Sequence, residues 1–467
     1  MEVTANRFGA HAREALGNSE LQRALAAATR RLDVARSDAF ADLAEGDALR
    51  TRAREIKRQT LAELDRHLDR LAASVEARGG AVHWASDAAE AREIVVGLAR
   101  ARGARVAVKS KSMTTEEIGL NDALAAAGVE PVETDLGEYI IQLAEERPSH
   151  IIAPAIHKTA AQISDLFEEK HRTPRRETRE ELTSEARALL RAKFLEADMG
   201  ITGANFAVAE TGTLAIVENE GNVRLCTSLP RCHVAVMGME KVIPDLESLA
   251  LFLRILARSA TGQKMSSYVS LITGPRGEGQ EDGAEEFHLV ILDNGRSAIL
   301  ADPELRESLY CIRCGACLNV CPVYRHAGGH SYGWVYPGPI GAVVTPSLVG
   351  HANAKPLPFA STLCGACRDV CPVRIDLPKL LVVQRERVLR AGGSWQGERG
   401  LVRAFGRIMR SQSRYRIASR VARWLAVPFA RAGRIRRAPL LSPWTATRDF
   451  PAPARETFRQ RWRRVRG

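Results

Sequence analysis

The sequence predicts an α/β domain, with a sheet covered by helices, followed by an all-α domain. Short apolar runs of strand length alternate with helical patterns from residue 81 to about residue 200, an order typical of a parallel sheet covered by helices. Further along the chain, seven of the nine cysteines fall in two compact runs that each end in Cys-Pro. The segment between these runs is long and rich in turn residues, and a proline directly after a cysteine suits the first position of a helix.

Residues 1–78 are predicted to form a helical extension. Leu61, Leu64, Leu68 and Leu71 recur at spacings of three and four residues, which is typical of one apolar helix face. Gly79-Gly80 ends the pattern. We expect this extension to pack against the rest of the chain.

Residues 79–297 are predicted to form the α/β domain. The predicted strands are 81–85, 105–109, 129–133, 150–153, 207–209, 213–217, 233–237, 268–272 and 287–292. The predicted helices are 87–102, 116–127, 136–145, further helices up to about residue 198, and 246–256. The turn Asp293–Arg296 is the predicted end of the domain.

Two polar loops follow strands of this domain, at the position where open α/β sheets bind ligands. The candidate anion-binding residues in these loops are Lys109, Ser110, Ser112, Glu210, Thr211 and Gly212. Ordinary turn chemistry is the simpler explanation of both loops. No Gly-x-Gly-x-x-Gly follows a strand, and Thr261-Gly-Gln-Lys264 lacks both the upstream glycine and the Ser or Thr of a phosphate loop. No nucleotide site is therefore predicted.

The two cysteine runs predict iron–sulfur clusters. Cys311, Cys314, Cys317 and Cys321 have the spacing C-x2-C-x2-C-x3-C-P, in which three thiolates hold one [4Fe–4S] cluster and the fourth serves a second cluster. A second run, Cys364, Cys367 and Cys371, also ends in proline. Zinc sites usually combine two C-x2-C pairs or Cys/His pairs, and disulfides require no Cys-Pro ending. Residues 298–384 are therefore predicted to be a helical, ferredoxin-like domain with two clusters.

The crossed arrangement of such runs predicts which cysteines share a cluster. The first cluster takes Cys311, Cys314, Cys317 and Cys371, whereas the second takes Cys321, Cys364 and Cys367. The second cluster is one cysteine short, because Ser361 stands where a full run has its first cysteine. Three arrangements remain open: a [3Fe–4S] cluster, a cube with a non-cysteine or open iron, or a ligand from elsewhere. The candidates for that distant ligand are Cys226, Cys232, His326 and His330.

The C-terminal segment, residues 385–467, is strongly basic. It has 22 arginines, no lysine and four acidic residues, so its net charge is +18, whereas the whole chain carries +12 and the remainder −6. Its aromatic residues are Trp395, Phe405, Trp424, Phe429, Trp444, Phe450, Phe458 and Trp462. Leu401, Phe405, Ile408 and Met409 form a helical stripe flanked by arginines, a pattern that favours an acidic partner or an anionic membrane surface. Nucleic acid and a solvated, partly disordered tail are the alternatives.

The cellular location follows from what the sequence lacks. No apolar run reaches the roughly 18–20 residues that span a bilayer, and residues 1–17 contain no apolar signal segment. We expect a cytoplasmic protein, which can associate with the inner face of the membrane through its basic segment. Thiols stay reduced in that compartment, which suits cluster binding.

Several longer motifs resemble the lactate utilization protein B family over nearly the whole chain, least firmly in the basic segment. They are the first cysteine run with Pro-Val-Tyr-Arg325, Gly329-His-Ser-Tyr-Gly333, Tyr336-Pro-Gly-Pro-Ile-Gly-Ala342, Leu363-Cys-Gly-Ala-Cys367, Lys111-Ser-Met-Thr-Thr-Glu-Glu-Ile118, Ile201-Thr-Gly-Ala-Asn-Phe-Ala207 and Glu210-Thr-Gly-Thr213. The resemblance implies a domain related to the sugar isomerase and CoA-transferase group. It also implies the iron–sulfur subunit of a flavin-free complex, with two partner subunits, that oxidises L-lactate to pyruvate. In that family the second run normally has three cysteines, and no catalytic residue of the α/β domain is carried over.

Three functions are therefore weighed. The first is electron transfer, with the two clusters passing the two electrons of lactate one at a time. In the second, the chain itself oxidises lactate, bound through Lys109 or Lys111 in the α/β domain or at an open iron of the second cluster. The third is a redox-sensing adaptor that binds nucleic acid through its basic segment.

Overall fold

The computed structural model describes residues 2–392, 396–437, 445, 448–454 and 456–466. The chain divides into two compact units, Met1–Ala391 and Gly392–Gly467. Trp395 and Trp444 of the basic segment lie outside the described residues. No helix within the described ranges combines the length and the apolar content needed to span a bilayer.

The first unit begins with four helices that pack against the cysteine region and the sheet domain. They are α1 Phe8–Gly17, α2 Ser19–Ala41, α3 Gly46–Ala62 and α4 Leu64–Glu76. The predicted leucine stripe is buried: Leu61, Leu64, Leu68 and Leu71 all belong to the main hydrophobic core. α2 packs against helices of the cysteine region, and α3 packs against both that region and the sheets. The expected packing of the extension is therefore seen.

The strands form two sheets. Their bounds are β1 Ala81–Ala85, β2 Val106–Lys109, β3 Glu130–Glu133, β4 Met199–Thr202, β5 Phe206–Val208, β6 Thr213–Glu218, β7 Cys232–Gly238, β8 Val242–Ile243, β9 Tyr268–Ile272 and β10 Glu286–Leu292. The larger sheet is entirely parallel in the order β1-β10-β7-β4-β2-β3. The smaller sheet has the order β8-β5-β6-β9 and is mixed, with β5 parallel to β8 and antiparallel to β6.

Helices cover these sheets, as the alternation of patterns predicts. They are α5 Ala88–Ala101, α6 Met113–Glu117, α7 Leu120–Ala126, α8 Leu136–Leu143, α9 Ala160–His171, α10 Arg179–Glu196, α11 Asn222–Ser228 and α12 Leu246–Ala260. The predicted α/β class is confirmed, but the second sheet was not foreseen as a separate layer. The helix predicted over 116–127 is two helices, which Gly119 separates in a left-handed conformation.

One strand prediction in this domain was wrong, and one strand of the parallel sheet was missed. Residues 150–153 form a turn, because Nδ1 of His150 accepts hydrogen bonds from the backbone N–H groups of Ile152 (3.1 Å) and Ala153 (3.3 Å). The sequence pattern also missed β4, which lies between β2 and β7 in the centre of the parallel sheet. β4 is only four residues long and contains Gly200, so its strand signal is weak.

The region of the cysteines consists of short helices and loops, as predicted. Its helices are α13 Arg296–Ala301, α14 Ala316–Asn319, α15 Pro322–Ala327, α16 Gly338–Leu348, α17 Ala366–Asp369 and α18 Leu377–Arg390, joined by short 3-10 turns. No strand occurs between residues 293 and 391, all of which the structure describes. Pro322 occupies the first turn of α15, directly after Cys321. α18 continues beyond residue 385, the predicted start of the basic segment.

The second unit contains three helices and a small sheet within its described residues. The helices are α19 Gln396–Met409, α20 Gln412–Ala426 and α21 Phe458–Arg466, and the short strands are β11 Ala430–Arg431, β12 Arg434–Ile435 and β13 Phe450–Pro451. The strands pair antiparallel in the order β11-β12-β13. The predicted stripe lies on α19, where Leu401, Phe405 and Met409 are exposed.

Candidate functional site

The first cysteine loop, Cys311 to Cys321, lies against His150 and Ile152 of the sheet domain. Arg313 and Gly315 both have positive φ, 58° and 75°, so the chain reverses twice between Cys311 and Cys317. A Cβ on Gly315 would lie 3.0 Å from the ring of His150, so only glycine fits there without displacement. The turn at His150 thus fixes the position of the loop.

Four cysteines line one small cavity in this region. Cys311, Cys314 and Cys317 from the first loop meet Cys371 from the second run. The other walls are largely apolar, with Ile151, Ile312, Ile340, Val373, Ile375 and Leu377 among them. Burial raises the pKa of the Cys314 and Cys317 thiols well above its ordinary value, and it raises that of Cys371 to about 11.

The remaining cysteines of the two runs, Cys321, Cys364 and Cys367, form a second group. Their thiols are close enough for the charge on one to raise the pKa of another, after burial as the larger cause, at Cys321 and Cys367. Cys364 is exposed, and the backbone N–H of Ala366 lowers its pKa. Cys364 is therefore the exposed member of the second group, whereas Cys321 and Cys367 are buried.

The second loop repeats the backbone of the first. Leu363 and Gly365 have φ of 54° and 90°, matching the residues directly before and after Cys314. Ser361 Oγ accepts a hydrogen bond from the Leu363 N–H at 3.1 Å, and Cys311 Sγ accepts one from the Arg313 N–H at 3.4 Å. Ser361 thus holds the position in the second loop that Cys311 holds in the first.

The four distant ligand candidates are engaged elsewhere. Cys226 packs in the sheet domain against Val108 and Val132, and Cys232 begins β7. His326 pairs with Gln22, and Nε2 of His330 lies 2.6 Å from the carbonyl oxygen of Arg147. These contacts give none of the four a role beside Cys364.

The cysteines themselves fit an iron–sulfur group. All nine are free thiols, so no disulfide competes for them. Thiolate sulfur is the ligand that such clusters use, and the four thiols that share one cavity supply a complete set. The group of Cys321, Cys364 and Cys367 supplies three, with the hydroxyl of Ser361 in the adjoining position.

A second, larger cavity of about 270 Å³ leads from solvent to the first loop. Its wall includes the exposed Asn219 and Glu220 as well as the buried Cys314 and Tyr336. It is also lined by residues of the sheet domain, among them Lys111, Ser112, Met113, Ile151, Ile152, Gly203, Ala204, Val217, Glu240 and Lys241. A small molecule in this cavity would contact both the sheet domain and the first cysteine loop.

A buried ion-pair network borders this cavity and joins the two parts of the unit. Arg296 donates to both carboxylate oxygens of Glu117 at 2.8 Å and to Glu240 at 2.7 Å. Tyr336 donates its hydroxyl hydrogen to Glu117 at 2.6 Å. Burial alone would raise the pKa of Glu240, but Arg296 and Arg313 outweigh it and lower that pKa to about 2.

Two further cations face the cavity, Arg313 and Lys241. The Arg313 guanidinium lies over the Tyr336 ring, 4.5 Å from its centroid, and 3.7 Å from a carboxylate oxygen of Glu240. Burial lowers the pKa of Lys241 to about 8, with Glu240 opposing the shift. These two residues are the ones that sequence reasoning missed. The signal available for Lys241 was its place just after β7, beyond the carboxyl end of a parallel strand.

The predicted anion-binding residues do not lie together in the structure. Of the six, Ser112 lines the cavity, next to Lys111. Lys109 is buried, and its ammonium donates hydrogen bonds to Glu133 (2.5 Å) and Asn121 (2.7 Å). Burial lowers its pKa, but the carboxylates of Glu133 and Glu116 outweigh this effect and raise it.

The other loop residues lie away from this cavity. Ser110 is buried, Glu210 forms an ion pair with Arg70 at 3.8 Å, and Thr211 bonds to Thr213. Gly212 packs so closely on α4 that a Cβ would lie 2.8 Å from the Val75 nitrogen.

Comparisons with known proteins agree with this organisation. Three family descriptions match: "LUD domain" over residues 68–292, "4Fe-4S dicluster domain" over 307–375, and "Lactate utilisation protein B, C-terminal" over 384–466. Proteins named lactate utilization protein B are similar over their full length. That of Shouchella clausii is 47% identical over 100% of this chain and 98% of its own, and that of Bacillus subtilis is 46% identical over 98% of this chain and 96% of its own.

One solved structure, a DUF162 family protein from Deinococcus radiodurans, covers 49% of this chain and 98% of its own. Its sequence identity is 16% and its TM-score is 0.28.

Proposed function

Since the chain belongs to the lactate utilization protein B family and carries an iron–sulfur domain, we propose that it is the electron-transfer subunit of a multi-subunit complex that oxidises L-lactate to pyruvate. The arrangement of the seven cysteines supports this proposal most directly. Four line one small cavity next to a larger one, and the remaining three, Cys321, Cys364 and Cys367, form a second group in which Cys364 is exposed. Lactate oxidation releases two electrons and two protons, and iron–sulfur clusters supply one-electron chemistry when bound.

The proposed ligands follow the two groups. Cys311, Cys314, Cys317 and Cys371 hold one [4Fe–4S] cluster, and Cys321, Cys364 and Cys367 hold another cluster, either [4Fe–4S] or [3Fe–4S]. The shared cavity supports the first set. The backbone that the second loop shares with the first, with Ser361 in the place of Cys311, supports the second.

The proposed partners are two other lactate-utilization subunits. The exposed apolar stripe of α19, flanked by arginines, is the feature that supports docking to an acidic partner or to an anionic membrane surface on the cytoplasmic side. In this proposal the basic segment positions the complex, and the first unit carries the electrons.

The test compares the isolated chain with the assembled complex. The purified chain with its clusters in place should give electron paramagnetic resonance (EPR) signals on chemical reduction but should not oxidise lactate. Addition of the two partner subunits should allow lactate to reduce the same clusters. Sustained lactate oxidation by the isolated chain would overturn the assignment as an electron carrier.

A second function is that the chain is itself the substrate-oxidising subunit. The larger cavity favours it, because that cavity reaches Cys314 and its mixed-charge wall includes Lys241 and Arg313, cations that suit a carboxylate. Turnover of lactate by the isolated chain with an artificial electron acceptor would support this function, and its absence would favour electron transfer alone.

A further inference from the structure

We propose that the larger cavity is a binding site for a small 2-hydroxy or 2-oxo carboxylate, whose carboxylate group is held by Arg313 and Lys241 next to Cys314. The choice of this ligand class rests on the proposed lactate oxidation. The site itself rests on the unpaired cations that face the cavity. It lies in a different place from the two polar loops that the sequence pattern indicates, of which only Ser112 reaches it.

Arg313 is a buried guanidinium that lacks an acceptor. Its side chain is 8% exposed, and Nη1 is buried without a hydrogen-bond partner among the described residues. Nη2 approaches Glu240 only to 3.7 Å, which is too far for a hydrogen bond. An unpaired buried donor on a charged group is costly, so this position calls for an acceptor. A carboxylate matches the planar fork of a guanidinium.

Lys241 is the second unpaired cation. It is 9% exposed, lines the same cavity, and forms no ion pair with a carboxylate of the described residues. Lys57, by contrast, donates its ammonium to the backbone carbonyl of Glu240 and does not line the cavity. The difference separates a lysine used for structure from one that remains available to a ligand.

The acidic partners of the buried network are already bound by Arg296. Arg296 occupies Glu240 through one oxygen and Glu117 through both, so these two acids are largely neutralised. Arg313 and Lys241 are therefore cations of the cavity without a hydrogen-bonded carboxylate among the described residues, while Asp135, Glu218 and Glu220 line other parts of its wall. Thiolate charge at Cys311 acts on the same two cations, so a bound anion would share them with the first cysteine loop. The cavity gives a diffusing anion a path from solvent to these two cations.

The remaining walls suit the rest of such a molecule. Ile151, Ile152 and Met113 offer apolar surface for a short alkyl group, and the hydroxyl of Ser112 and the amide of Asn205 offer hydrogen bonds for a hydroxyl or keto oxygen. Few convergent polar groups in an apolar pocket are typical of small-molecule sites.

The experiment is calorimetric titration of the full chain, with its clusters in place, with pyruvate and with oxalate. We expect both anions to bind, and propane-1,2-diol, which lacks the carboxylate, to bind far more weakly. Lys241→Met should weaken pyruvate binding by about 10- to 100-fold, the range for losing one hydrogen bond to a charged group. Arg313→Lys keeps the charge but loses the fork, and we expect a smaller loss of affinity.

Lys193→Met is the matched control, because Lys193 pairs with Glu130 on the outside of the sheet domain and does not line the cavity. Iron and sulfide content and the EPR spectrum establish that each variant keeps its clusters. Unchanged pyruvate affinity in Lys241→Met, or no binding of either anion by the intact protein, would overturn the site.

The same variants separate this inference from the proposed function. If lactate reduces the clusters of the complex and Lys241→Met changes neither binding nor reduction, the anion site is wrong and the function stands. If pyruvate binds in a Lys241-dependent way but lactate never reduces the clusters of the complex, the site stands and the function is wrong.

Discussion

The loops around Cys314 and around Cys364 have nearly the same backbone and very different surroundings. In both, the residues directly before and after this cysteine have left-handed backbone conformations. The first loop, however, lies against the turn at His150 and encloses an apolar cavity, whereas Cys364 in the second loop is exposed. Burial and hydrogen bonds around the sulfurs set the reduction potential of such clusters. The comparison teaches that one sequence motif can provide two sites of different electronic character, and that the tertiary contacts make the difference.

The N-terminal helices add to this contrast. Arg50 on α3 donates to the carbonyl oxygen of Cys371 at 3.0 Å, and Arg54 bonds to Glu307 at 2.6 Å and to the carbonyl oxygen of Arg374. These contacts hold the end of the second run, which supplies a cysteine to the first cavity. The helical extension thus helps to build the buried site.

The largest effects are expected from replacing one cysteine in each loop. Cys314→Ser should lose about half of the iron and also destabilise the first unit by on the order of several kcal/mol, because cluster binding at a buried site contributes to folding. Cys364→Ser should lose a similar share of iron with little change in unfolding, because that residue is exposed. Iron and sulfide analysis together with denaturant unfolding of the two variants measures both effects.

Equal destabilisation by the two variants would contradict this difference between the loops. Cys226→Ser, a substitution in the sheet domain, controls for the loss of a buried thiol as such. It should leave the iron content unchanged.

The next largest effect is expected in the buried ion-pair network, where losing an arginine should lower the free energy of unfolding more than losing one at the surface. Arg296→Met leaves Glu117 and Glu240 without their partner in a site where the side chains are 0–2% exposed. Breaking such a pair typically costs about 3–5 kcal/mol. The matched control is Arg390→Met, whose exposed pair with Glu386 should contribute under about 1 kcal/mol. Chemical unfolding of both variants provides the measurement.

Because Arg313 shares Glu240 with Arg296, the Arg296→Met variant should also retain its first cluster less well than its second. A variant as stable as the control would mean that the network does not hold the first loop to the sheets.

The two clusters should also lose their iron at different rates. With a chelator under mild oxidation, we expect two phases that each release about half of the iron. The fast phase should come from the second loop, since Cys364 is exposed whereas Cys314 and Cys371 are buried. Absorbance and EPR followed during the reaction identify each phase, and Cys364→Ser should lack the fast one. A single phase in the wild-type protein would show that exposure of Cys364 does not govern release.

Much of this organisation is local and was therefore predictable. Most strands of the sheet domain, the leucine stripe of Leu61 to Leu71 and the helical cysteine region depend on short-range patterns, and the structure contains them. The cavity depends on contacts between residues far apart in sequence, such as Tyr336 with Glu117 and Arg313 with Glu240. No periodicity or spacing encodes those contacts. The same reason explains the turn at His150, where a side chain captures backbone groups that a strand would have used.

The subtlest test changes Ser361, the residue that makes the second loop differ from the first in ligand number. Its hydroxyl holds the position that Cys311 Sγ holds in the first loop, and the side chain is partly exposed. Ser361→Cys should therefore supply a fourth thiolate to the second site while changing the free energy of unfolding by no more than about 0.5 kcal/mol. The expected result is an altered EPR spectrum of the second cluster, with a gain of iron if the native cluster has three irons. Ser361→Ala reports the loss of the hydroxyl, and Thr362→Cys places a thiol one residue away. A spectrum that responds equally to Thr362→Cys, or to neither Ser361 variant, would show that the two loops differ in exposure alone and not in the ligand next to Leu363.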